Sequence, residues 1–376
     1  FDLNAKTSRG KTPLQIALSH GNYKMVSLLL NIDVNTNSKS KKKKGSSKQS
    51  DIDPNLPGNN GKPPLIIACE MRRVDIFNLL LKHTEIDINA QLSNKKSVLY
   101  VACEFNMIDI VKTLLEYDKI EVNAATKLGK TPLIIACEKG NKEIVELLID
   151  YNESKSKKSK SKKNKKSNEN LIDFNAKTND KKSALLISCE FLRIDIAEIL
   201  VHIDEIECDD ASDDGRTPLC YACEKGCEDL VTELINHGAD VNHHTKDDRT
   251  PLYFACLSRN ENIVRNILSK IHDYSQINLK ETTNGTTPLF ISCLNGDLEI
   301  FNSLTNEIED NTDLNYNDNM NKSLLYAACK GENLEIIEKL LTKYNVDPNT
   351  ASNKGKTPLH VACKKKNSEI VDLIVN

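Results

Sequence analysis

Apolar positions along this chain fall into two kinds of cluster that alternate. One is a compact run such as TPLIIAC at 131–137, where nearly every residue is apolar. The other is a stripe such as KEIVELLID at 142–150, in which Ile144, Val145 and Leu148 recur at helical spacing with charged residues between them. Such an alternation predicts pairs of short helices, the first buried on most sides and the second on one face.

The run recurs throughout the chain. It reads TPLQIAL at 12, PPLIIAC at 63, SVLYVAC at 97, TPLIIAC at 131, SALLISC at 183, TPLCYAC at 217, TPLYFAC at 250, TPLFISC at 287, SLLYAAC at 323 and TPLHVAC at 357. Successive starts lie 51, 34, 34, 52, 34, 33, 37, 36 and 34 residues apart. The period is therefore 33 or 34, with two long insertions. An Asp/Glu-x-Asn triplet ends eight residues before most of these motifs, at Asn4, Asn55, Asn89, Asn123, Asn175, Asn242, Asn315 and Asn349; Asp209 replaces the Asn once, and Asn278 lies nine residues away.

Each unit has a local physical reading. Thr131 supplies an N-cap hydroxyl and Pro132 takes the first helical position, where its missing N–H costs nothing. Ser97, Ser183 and Ser323 keep the cap where proline is lost, and Pro63 abandons it. Gly140 is placed to end the helix in a left-handed conformation, and segments such as VNAATKLGK carry the Asn and Gly of a projecting turn.

These residues resemble the ankyrin repeat, a turn followed by TPLHxA and two antiparallel helices in about 33 residues. TPLHVAC, with His360, matches that signature in full, and the resemblance covers almost the whole chain. It implies an all-α solenoid, a stack of helix–turn–helix units with projecting β-hairpin or turn fingers, forming one array over residues 1–376. Cys after the Ala, the absent Gly at Asn106 and Leu192, and the insertions depart from the family pattern. The resemblance also makes repeat Asn residues such as Asn123 and Asn175 hydroxylation candidates, although turn chemistry alone accounts for them.

Charge modifies this picture. The formal net charge is −3, from 51 basic and 54 acidic residues, yet six lysines lie within 39–48 and eight within 154–167. Outside these windows 37 basic residues face 54 acidic ones, a net of −17. Both Lys/Ser segments, 38–50 and 152–170, enter between a second helix and the next turn and are expected to be disordered, because such composition cannot bury a core. Their expected contacts are weak and electrostatic, with acidic protein, nucleic acid or anionic lipid. No apolar run approaches the length needed to span a bilayer. A start without Met and an end inside a helical pattern fit a piece of a longer multi-repeat protein.

Nine of the twelve cysteines occupy one repeat position: 69, 103, 137, 189, 223, 256, 293, 329 and 363. Nine equivalent nucleophiles on nine units make no chemical sense, whereas a small polarizable side chain suits close helix packing. Unpaired buried thiols in such number favour the cytoplasm, or the nucleus if the Lys-rich loops act as import signals. Cys208, Cys220, Cys223 and Cys227, with His237, His243 and His244 nearby in sequence, imitate zinc spacing, but each cysteine also has a packing explanation. GKT at 10–12, 129–131 and 355–357 imitates a phosphate loop without its first glycine. No catalytic, cofactor or metal site is expected.

Function is then expected from the surface of the array. The resemblance places partner contacts just before each motif and just after each Ala pair. The first column holds Lys11, Lys62, Lys96, Lys130, Lys182, Arg216, Arg249, Lys322 and Lys356. The second holds Glu70, Glu104, Glu138, Glu190 and Glu224, changing to Lys330 and Lys364. Beside it stand Met71, Phe105, Lys139, Phe191 and Lys225. The charges could simply pair between the columns as a solvated face. Alternatively, the apolar members could anchor a protein partner across repeats two to five, or fold back over the missing glycines. The favoured expectation is a monomeric, non-catalytic scaffold for partner proteins. A targeting or regulatory module of a larger kinase- or ubiquitin-ligase-type enzyme is the alternative.

Overall fold

The structure is a computed structural model that describes residues 2–32, 52–58, 61–161, 171–273, 275, 277–308 and 314–376, with backbone alone at 158–161. Among these residues there are twenty helices and no strands, an all-α repeat solenoid. The chain divides into two compact units, Phe1–Asn179 and Asp180–Asn376.

The first unit holds four helix pairs: α1 (Pro13–Ser19) with α2 (Tyr23–Leu29), α3 (Pro64–Glu70) with α4 (Val74–Leu81), α5 (Val98–Glu104) with α6 (Ile108–Leu115), and α7 (Pro132–Lys139) with α8 (Lys142–Ser161). The second holds six: α9 (Ala184–Glu190) with α10 (Ile194–Val201), α11 (Pro218–Lys225) with α12 (Glu228–Asn236), α13 (Pro251–Ser258) with α14 (Glu261–Leu268), α15 (Pro288–Asn295) with α16 (Leu298–Asn306), α17 (Leu324–Gly331) with α18 (Leu334–Thr342), and α19 (Pro358–Lys365) with α20 (Ser368–Val375). Within each unit every first helix packs on the next first helix, and every second helix on the next second helix.

This stacking explains the two hydrophobic patterns. α5 is enclosed by α3, α7 and α6, so Val98 through Cys103 are all buried, which requires a continuous apolar run. α6 faces solvent on one side and buries only Ile110, Val111 and Leu114. Ladder cysteines 69, 103, 137, 189, 223, 256, 293 and 329 are buried and free. Cys363, in α19, is also free, and it is exposed.

Helix ends follow the capping chemistry. The Thr131 hydroxyl accepts from Ile134 N at 3.3 Å, and Ser97 and Ser183 do the same for Tyr100 N at 3.1 Å and Leu186 N at 3.3 Å. Pro63 caps nothing. Gly140 turns the chain at φ 76°, and where glycine is missing the same left-handed turn persists at Asn106 (φ 54°) and Leu192 (φ 56°). Tertiary packing holds these residues in a conformation that costs an L side chain roughly 1–2 kcal/mol.

The fingers are turns with two isolated bridges, Gln91 with Ser97 and Asn317 with Ser323. Neighbouring tips share backbone hydrogen bonds, for example Lys127 N to Asn94 O, Lys246 N to Asp214 O and Asn353 N to Met320 O. The repeated Asn has a second task that spacing alone does not show. Asn89 donates Nδ2–H to Lys119 O at 2.8 Å and accepts from Glu121 N at 2.9 Å, so one amide ties its turn to the next repeat. Asn55 and Asn123 repeat the bridge. Asp209 keeps only the accepting half, from Asp240 N at 2.8 Å. Asn89→Asp is therefore expected to cost about 1 kcal/mol and Asn89→Leu about 2 kcal/mol, read as urea-midpoint shifts. Equal costs for the two variants would show that the bond accepted from Glu121 N is idle, and no cost for Asn89→Asp would show that the donated bond is idle.

Of the segment 152–170, expected to be disordered, the first part is helical: α8 continues to Ser161. Extending an existing helix avoids the nucleation cost. Lys155 Nζ reaches Asp118 Oδ1 at 2.6 Å, which raises the lysine pKa, and it lies 5.4 Å from the centroid of the Tyr151 ring. Lys157 pairs with Glu153 one turn back at 3.0 Å. Residues 162–170 and the insertion at 38–50 lie outside the described residues.

Candidate interaction surface

The two charged columns meet because each motif forms one short helix. A residue just before the cap and a residue in the last turn are eight positions apart, and their long side chains converge along the helix. Lys62 contacts Glu70 at 2.6 Å, Lys96 contacts Glu104 at 2.7 Å and Lys130 contacts Glu138. In the second unit Lys182 meets Glu190 at 2.7 Å and Arg216 meets Glu224 at 3.1 Å. Pairing between columns is thus what the structure places there. These pairs are partly exposed and contribute at most about 1 kcal/mol each. Their larger effect is to neutralise the face and hold the lysine stems flat.

The basic heads are also held by rings. Lys96 Nζ lies 5.3 Å from the Tyr100 centroid, and the Arg216 guanidinium lies 4.8 Å from that of Phe254 in the following repeat. Beside the neutralised pairs, Phe105 remains 43% exposed, Met71 36% and Phe191 48%. Each is the residue immediately after its helix, α5, α3 and α9. Lys139 and Lys225 occupy the same register at the ends of α7 and α11 and are exposed, Lys225 lying 3.9 Å from Glu224.

The zinc-like cysteines take packing positions in the fold. Cys220 takes a hydroxyl hydrogen bond from Thr217 at 3.4 Å, Cys223 sits in the buried ladder, and Cys227 stands at the start of α12. His243 Nε2 meets Gly215 O at 2.7 Å. Among the described residues no group of three His, Cys, Asp or Glu side chains could hold a metal ion. Burial pushes the thiols up, Cys69 and Cys329 to about 12 and Cys208 to about 11, with Glu70 adding to the effect at Cys69 and Asp209 at Cys208. Buried protonated thiols are poor nucleophiles. In the GKT segments Thr12 and Thr131 cap helices that begin with proline. No helix among the described residues is long and apolar enough to cross a membrane.

Two features escape the repeat pattern. Glu281 is buried in the longest finger, where it accepts from Thr283 N at 2.9 Å, Asn284 N at 2.6 Å and Thr286 N at 3.3 Å. Burial raises its pKa, the N–H bonds lower it, and the net shift is downward. The second feature is a depression of about 350 Å³ in the second unit, lined in part by Tyr253, Phe290, Leu294, Met320 and Tyr326. A smaller one of about 220 Å³ shares Met320, Lys322 and Tyr326 and adds Ser352, Lys354 and Lys356. The switch from Glu to Lys after the cysteine was the visible sequence signal; the apolar pocket beside it was not, since its residues come from different repeats.

A repeating cap–helix–turn–helix unit with an Asn-bridged finger defines an ankyrin-type repeat protein. The family described as ankyrin repeats (3 copies) matches residues 1–92, 86–161, 119–210, 158–245, 239–318 and 308–376, and the chain belongs to it. Over 79 residues the chain is 37% identical to the ankyrin repeat and KH domain-containing protein mask of Drosophila melanogaster. That match covers 21% of this chain and 2% of the fly protein, so the chain spans only a small part of that relative.

Proposed function

We propose that this chain is a non-catalytic interaction scaffold that holds partner proteins on the face built from finger tips and the ends of the first helices. Ankyrin repeats indicate an interaction module, which supports the reading at the level of the family. The single observation that carries it is the exposure of Met71, Phe105 and Phe191 at one register position, beside charges already neutralised by their neighbours. Large apolar groups on a rigid face, flanked by charges that need no further partner, have the character of binding anchors. Met71 and Phe105 form this surface on the first unit, and Phe191 with Leu192, which is 50% exposed, forms it on the second.

The experiment is affinity capture with the purified chain, followed by mass spectrometry and titration of the captured proteins. Phe105→Ala and Phe191→Ala together are expected to weaken the principal partner at least tenfold, a loss of about 1.4 kcal/mol or more, without lowering the melting temperature. Unchanged capture by the double variant would reject these anchors.

A further inference from the structure

In repeats two to six the residue before the motif and the residue after its cysteine are opposite charges in contact. In repeats nine and ten both positions are lysine: Lys322 with Lys330, and Lys356 with Lys364. The carboxylate that meets the basic residue elsewhere has been replaced by a second cation at the same place. Lys330, Lys356 and Lys364 are exposed. Lys322 has Asp318 Oδ2 at 3.5 Å, while Oδ1 of that buried carboxylate accepts from Met320 N and Lys322 N, so in repeat nine one carboxylate stands against two lysines. Two cations at the register where a cation and a carboxylate meet in repeats two to six leave an uncompensated positive charge, which attracts an external anion.

Adjoining these lysines is the apolar depression lined by Tyr253, Phe290, Leu294, Met320 and Tyr326. Met320 is 42% exposed beside it, and the lysine-lined extension continues toward repeat ten. We propose that this groove binds an extended acidic segment of another protein, with one large apolar side chain in the depression and carboxylates over the two lysine pairs. The inference rests on the scaffold reading and assigns a partner chemistry to a surface separate from Phe105 and Phe191. Neighbouring helices lie about 8–10 Å apart and an extended chain advances about 3.3 Å per residue. One repeat therefore matches about three residues of the bound segment. The expected motif is an apolar residue followed, three and six positions on, by Asp or Glu.

The test uses the full chain and a fluorescein-labelled peptide in which phenylalanine is followed by glutamate at the third and sixth positions, with anisotropy as readout. Binding is expected at 50 mM salt and should weaken severalfold at 300 mM. Lys330→Glu with Lys364→Glu recreates the pairs of repeats two to six, so the fold should survive, checked by its melting curve, while peptide affinity falls at least tenfold. Phe105→Ala should leave the peptide unaffected. Equal binding of a peptide with lysine in place of both glutamates, no effect of the charge reversal, or tighter binding of a single-stranded oligonucleotide would each overturn the proposal. If captured proteins depend on Phe105 and Phe191 while the peptide does not bind, this inference falls and the scaffold reading stands. If neither dependence is seen, both fall.

Discussion

Moving from pH 8 to pH 10 is expected to unfold the unit that spans Asp180–Asn376. Burial holds the thiols of Cys189, Cys223, Cys256 and Cys293 far above their ordinary range and that of Cys329 up to about 12. An unfolded cysteine ionises near about 8.5. The folded state thus binds these protons more tightly. The stabilisation is complete below the unfolded value and disappears as pH climbs through the window between the two. By pH 10 a thiol that stays protonated in the fold has released about 2 kcal/mol of that advantage. Five together remove on the order of 10 kcal/mol, as much as a typical domain possesses. Urea midpoints by circular dichroism at pH 8, 9 and 10 read the effect. A variant with alanine at all five positions should lose far less over the same range; parallel pH profiles for the two proteins would refute the linkage.

Gly331→Ala is the substitution expected to damage this unit most. Gly331 is the last residue of α17, and a Cβ there would lie 2.3 Å from Cys293 O and 2.7 Å from Gly296 N. Both are backbone atoms of the preceding repeat and cannot rotate away. The added methyl forces α17 off α15, at about 3 kcal/mol, outweighing the roughly 1 kcal/mol by which alanine favours helix over glycine. Its neighbour behaves oppositely. Glu332 carries the left-handed turn at φ 62°, so Glu332→Gly should stabilise by about 1 kcal/mol. Urea denaturation of the two variants beside the parent checks both signs. A neutral Gly331→Ala would mean that the helices are spaced more widely than the structure places them.

The Gly331–Glu332 pair shows where reading along the chain stops. Counting from the cap, Thr131 to Gly140 is nine residues, and Ser323 to Glu332 is also nine. The turn therefore belongs to Glu332. That Gly331 is required by close approach to another repeat is a fact about two helices, which one segment cannot contain. The same limit applies to the Asn ladder. Its period was plain, but the amide bridging Lys119 and Glu121 becomes visible only when consecutive fingers are side by side.

What the sequence determined by itself was the unit: caps, proline starts, turns and the alternation of run with stripe are local, and a 33–34-residue period copies them through the chain. It also determined that the ladder thiols are packing groups, since no chemistry needs nine copies of one nucleophile. Tertiary structure alone decided which charges cancel, which aromatics stay exposed and how far α8 runs past residue 152. These depend on what lies across from a residue in the next repeat, some 33 positions away. Local propensity carries no information over that distance.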